Sequence, residues 1–143
     1  MAGLLWARRL MVFVTILLLA VLGGCGSDHP LAQVGGTVTR GGKPIEHIMV
    51  HFYPTQGRPS WGVTDAQGRY TMEYDDRKGV EIGHHKVYVT FSPQDIQVKM
   101  DLEFGKYKVP AEMGEIMKKY GDPDKTPLAF DVKESQTIDF KLD

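Results

Sequence analysis

The chain has 143 residues, 24% charged and 42% hydrophobic, enough for one small domain once a targeting segment is set aside. A formal net charge of -1 lacks the basic footprint that a phosphate backbone demands and excludes a nucleic-acid partner. A single cysteine excludes an internal disulfide and the paired cysteines of zinc or redox centres, and the absence of asparagine removes every N-x-S/T glycosylation acceptor.

At the N-terminus, Arg8 and Arg9 precede LMVFVTILLLAVL, the charged and apolar regions of an export signal. The run is shorter than the roughly 20 residues of a spanning helix, which disfavours an uncleaved membrane anchor. It closes on Leu22-Gly23-Gly24-Cys25, which resembles the lipobox of bacterial lipoproteins. That resemblance implies removal of residues 1–24 and acylation of the Cys25 thiol, with two or three chains, each buried methylene contributing about 0.8 kcal/mol, holding the protein on a membrane. The same resemblance implies delivery to the outer rather than the inner membrane, because Gly26 stands where retained lipoproteins carry aspartate. Residues 25–31, small, polar and interrupted by Pro30, read as a tether, and residues 32–143 as the domain.

Alternation then begins. Val34, Gly36 and Val38 share one face of a strand closed by Gly41-Gly42, and Ile48, Val50 and Phe52 alternate with Met49, His51 and Tyr53 in the next. SWGVTDAQGRYTMEY predicts a hairpin about Asp65-Ala66-Gln67-Gly68, with Tyr70, Met72 and Tyr74 on one face of its second arm. Val87, Val89 and Phe91 mark a fifth strand; Leu128, Phe130 and Val132 a sixth; Ile138, Phe140 and Leu142 a seventh. Between them, Val98, Met100, Leu102 and Phe104 alternate and predict a further strand or an extended loop. Met113, Ile116, Met117 and Tyr120 fall at helical spacing between Pro110 and Gly121 and predict one short helix near 110–120. Seven strands of ordinary length predict an all-β sandwich.

VGGTVTRGGKPI, HIMVHFYP, TDAQGRYTM, VEIGHHKVYV and KYGDPDKTPLAFDV, in that order, resemble the carboxypeptidase regulatory-like, transthyretin-like domain of small bacterial lipoproteins. The resemblance spans about residues 33–143. It implies a seven-stranded Greek-key sandwich of transthyretin (prealbumin) topology, an accessory or binding role and no catalysis.

Local chemistry agrees. Thr37 stands where a phosphate loop ending at Lys43 needs glycine, and no G-x-S-x-G elbow surrounds a serine. His47 and His51 lie roughly 13 Å apart along a regular strand, too far to share an ion. His85 is expected inward and His84 at the surface; a site joining either to Asp75 or Asp76 defines a competing reading as a metal-dependent enzyme or metal carrier. Asp122 and Asp124 fall in turn-rich sequence where aspartates cap backbone amides. No cofactor and no resident metal are expected. Tyr53, Trp61 and Tyr88 are the candidate ligand-binding residues, aromatic anchors for an envelope protein or glycan. The expected protein is therefore a non-enzymatic, lipid-anchored binding module; a structural envelope lipoprotein without a discrete ligand is the other alternative.

Overall fold

A computed structural model describes residues 30–143. Cys25, the expected signal segment and all of the tether before Pro30 lie outside the described residues. Leu31, assigned to the tether from sequence, is instead the first residue of β1 (Leu31–Ala32), which pairs with β9 (Val80–Glu81).

The described chain is predominantly β. One sheet has the order β11 (Leu128–Val132), β10 (Gly83–Phe91), β4 (Ile48–Pro54), β5 (Ser60–Val63), β7 (Glu73–Tyr74), β8 (Arg77–Lys78). The other is built on β2 (Val34–Arg40), flanked by β12 (Gln136–Thr137), β13 (Phe140–Lys141), β3 (Lys43–Pro44) and β6 (Arg69–Thr71). All seven predicted strands appear. The fourth is broken into β6 and β7 and the last into β12 and β13, and β1, β3, β8 and β9 are short additions that carry too few residues to show alternation.

The core lies between the two sheets, filled by the residues the alternation placed inward. Ile48, Val50, Phe52, Val87 and Val89 are fully buried on one side; Val38, Phe140 and Leu142 close the other. Phe140 reaches across to Phe52 and Phe130, ring centroids 6.3 and 5.4 Å away. The Tyr70 hydroxyl donates to the Ile138 carbonyl at 2.6 Å, joining β6 to the C-terminal segment inside the core. Burial, with a smaller contribution from Asp139, pushes that phenol well above the ordinary tyrosine range, so it stays a donor.

Two turns fix the register. Gly41 and Gly42, with φ of 54° and 77°, form the two-residue loop between Arg40 and Lys43, a connection that needs positive φ at both positions. At the second turn Asp65 Oδ1 accepts from the amides of Gln67 and Arg69, both at 2.9 Å. The predicted hairpin there differs from a simple one. Its arms meet at the turn and again at Trp61↔Glu73, but between these points β6 leaves β5 to pair with β2. Residues 69–74 thus join the two sheets around a corner.

The segment after β10 corrects the expectation of a strand or extended loop. Ile96–Glu103 is a helix, α1, capped by the Asp95 carboxylate, which accepts from the amides of Gln97 and Val98. It has no buried residue, and Ile96, Met100 and Phe104 are exposed. The helix predicted near 110–120 is α2 (Ala111–Tyr120), with Pro110 as its N-cap. Ile116 and Tyr120 are buried, and α2 packs against β10. Arg40 pairs with Glu115 at 2.6 Å, and Lys119 Nζ and the Tyr120 hydroxyl both donate to the Asp143 carbonyl. A Cβ at Gly114 would meet nothing within 4 Å. Gly114→Ala is therefore expected to stabilise the domain by about 0.5–1 kcal/mol, read as a higher urea midpoint at unchanged m-value; a lower midpoint contradicts the open surface described for it.

Candidate functional site

Strand register assembles the candidate aromatics. Across the outward face of the first sheet, Glu73 stands opposite Trp61, Trp61 opposite His51, and His51 opposite Tyr88. Directly paired residues project from the same face, so Trp61 and Tyr88 lie two strand spacings apart, about 10 Å. Tyr53, two residues along β4 from His51, projects on this face opposite Lys86. All three predicted ligand-binding residues therefore share one surface. Tyr53 and Trp61 are 51% and 39% exposed; Tyr88 is half-buried, because the His51 ring stacks flat on it at 4.4 Å and an angle of 1°.

That stack rigidifies the centre of the row. His51 Nε2 lies 2.9 Å from Thr90 Oγ1, fixing the ring plane. Burial holds the imidazole below the ordinary histidine range and the Tyr88 phenol above the ordinary tyrosine range, with Tyr53 adding to the second shift.

The row ends at a groove of about 970 Å³ on the corner where residues 69–74 pass between the sheets. Trp61 and Glu73 form one wall; Thr71, Gly35 and Thr137, neighbours across β6, β2 and β12, run along it. Thr37, further along β2, and Asp139, between β12 and β13, also border it. Asp139 Oδ1 accepts from both the Thr37 amide and the Thr37 hydroxyl at 2.8 Å, which hold its carboxyl below the usual range. Asp65 is likewise depressed, first by the Arg69 amide, and it pairs with the Arg69 guanidinium at 2.9 Å. Of the groove residues, sequence reasoning had singled out Trp61. Asp139 was not singled out from sequence: it falls between the inward Ile138 and Phe140, and nothing local points it at Thr37, 102 positions away.

The described histidines are not gathered into one site. His47 has φ of 64°, outside the strand, so it does not continue the face that carries His51. His84 is at the surface with Nδ1 2.7 Å from Asp131, while His85 is 1% exposed with Nε2 2.8 Å from the Glu81 carbonyl. Asp75 pairs with Arg58 at 2.8 Å, and Asp122 caps the Asp124 amide. Among the described residues no group of three metal-ligating side chains converges.

His85 carries a consequence for pH. A carbonyl accepts only from N–H, so Nε2 is protonated and Nδ1, buried without a hydrogen-bond partner among the described residues, is bare. Burial lowers its pKa, the Glu81 carbonyl opposing in part. The unfolded chain takes up protons at His51 and His85 near about pH 6.5, before the folded protein does, so stability falls as pH drops below that value. The depressed carboxyls of Asp65 and Asp139 act in a lower window, their contribution lost as pH falls below about 4. The melting temperature is expected to be lower at about pH 5.5 than at about pH 7.5, by less in His51→Gln; an equal or higher value at the acid pH contradicts the buried neutral histidines.

Comparison with protein-family models, with curated proteins and with solved structures found no match to this chain.

Proposed function

We propose that this protein is a lipid-anchored module of the cell envelope, a transthyretin-like Greek-key sandwich that binds an envelope protein or glycan without catalysis. The observation that carries the reading is the convergence of Trp61, Tyr88 and Tyr53, from three adjacent strands, on one outward face. Large, rigid aromatic side chains left at the surface serve as binding anchors at low entropic cost. The topology is supported by the order β11, β10, β4, β5 in one sheet and by β2 lying between β6 and β12 in the other. Anchoring is supported by the apolar run ending in Leu22-Gly23-Gly24-Cys25, and outer-membrane delivery by Gly26.

The test separates the two halves of this proposal. Mass spectrometry of the mature N-terminus is expected to find an acylated Cys25, and Cys25→Ser is expected to leave the membrane fraction; a chain beginning elsewhere removes the anchor. In retention on isolated envelopes, the double variant Trp61→Ala and Tyr53→Ala is expected to weaken binding at least about tenfold while leaving the melting temperature in place. Unchanged retention would replace the binding module with a structural lipoprotein.

A further inference from the structure

We infer that the groove at the sheet corner is a carbohydrate subsite, and that it takes an uncharged pyranose chain rather than an acidic one. The inference rests on the binding reading above and names its ligand class. A pyranose ring has an apolar face of C–H groups and a rim of hydroxyls. The face packs on an aromatic ring, whose π surface is negative, and the rim needs hydrogen-bonding groups beside that ring. The groove supplies both. Trp61 stands at its wall with 39% of its surface exposed. Glu73 stands beside it, and the same groove is lined by Thr71, Thr137 and Asp139. The Thr37 hydroxyl is committed as a donor to Asp139 Oδ1, which leaves Oδ2 as an acceptor for sugar hydroxyls. Between Thr71 and Thr137, in the same cross-strand row, stands Gly35, where a Cβ would come 2.8 Å from the Tyr70 carbonyl oxygen, so no side chain separates the two threonines.

Charge sets the class. Arg69 is the groove's one basic lining side chain and pairs with Asp65, so the lining carries a net negative charge from Glu73 and Asp139, with Lys78 opposite Glu73 and Lys141 near Asp139 standing outside it. A uronic-acid or phosphate-bearing polymer meets like charge there, whereas a neutral glycan does not. The row from Trp61 to Tyr88 extends the apolar surface by two strand spacings, so an oligosaccharide held at the groove has further rings to lie on.

The experiment titrates the full-length protein in detergent micelles by calorimetry with cellohexaose, with chitohexaose and with polygalacturonate. At least one of the two neutral oligosaccharides is expected to bind, and polygalacturonate is not. Trp61→Ala, and independently Thr137→Arg, which fills the groove from the opposite side, are each expected to weaken binding at least about tenfold. Phe104→Ala, an exposed aromatic that does not line the groove, is expected to leave sugar affinity within about threefold. Melting temperatures verify that each variant is folded, and either one suffices if the other is not. The inference is overturned if neither oligosaccharide binds, if binding survives both groove variants, or if polygalacturonate binds as tightly. Envelope retention distinguishes the failures: retention that depends on Tyr53 and Trp61 without any oligosaccharide binding removes the sugar subsite and keeps the binding module, whereas loss of both removes both.

Discussion

Phe52→Ala is expected to lower the stability of the domain by about 4 kcal/mol, seen as a large drop in the denaturant midpoint. Phe52 is fully buried, and its ring lies 5.7 Å from His85, 6.4 Å from Phe130 and 6.3 Å from Phe140. It therefore touches the first sheet, its neighbour strand and the opposing sheet at once. Removing the ring loses transfer energy and leaves a cavity that strands held by ladders on both sides cannot collapse into. Against a total of about 5–15 kcal/mol for a domain, such a loss leaves a large unfolded population near physiological temperature. Phe52→Leu, which keeps most of the volume, is expected to cost less than half as much. Equal effects from the two variants would place the loss in the ring contacts and not in the cavity.

Gly36→Ala is expected to destabilise by about 3 kcal/mol or more, an effect of overpacking against backbone. A Cβ there would stand 2.0 Å from the Ile138 carbonyl oxygen and 2.7 Å from its carbon. That carbonyl already accepts the Tyr70 hydroxyl, and the Ile138 amide donates to the Gly35 carbonyl at 2.8 Å. Neither side can yield without breaking a bond within the core. Because Gly35 and Thr37 border the groove, the variant is also expected to reduce any binding measured there. A midpoint equal to that of the unaltered protein would refute the close approach of β2 to the C-terminal segment.

The two substitutions mark what was legible in the sequence. Phe52 stands in a run with period two, and its inward direction follows from Ile48 and Val50 alone. Gly36 looks in sequence like one more residue of an alternating strand; that a second backbone passes within reach of it depends on pairing across about a hundred positions. The same division separates the helices. In α2 the apolar residues sit at helical spacing because the helix buries a face. In α1 nothing is buried, so tertiary structure imposed no spacing, and Val98, Met100, Leu102 and Phe104 alternate without being a strand. The local signal available was Asp95 after Pro93, a helix-capping residue. Among the candidate residues, exposure of Trp61 and Tyr53 follows from alternation. Their gathering with Tyr88 on one face needs the register of β4 with β5 and β10, and the polar side of the groove needs five separate segments to meet.

The position of β2 bears on how the domain carries mechanical load. A pull on the N-terminus passes through the two-residue ladder of β1 and then enters β2 at Val34. There the strand is hydrogen-bonded along both margins, in parallel to β12 and β13 and antiparallel to β6 and β3. Tension along it shears several ladders together instead of peeling one bond at a time. β1 is the compliant link that yields first, β2 the clamp that resists, and the clamp is also the strand that borders the groove.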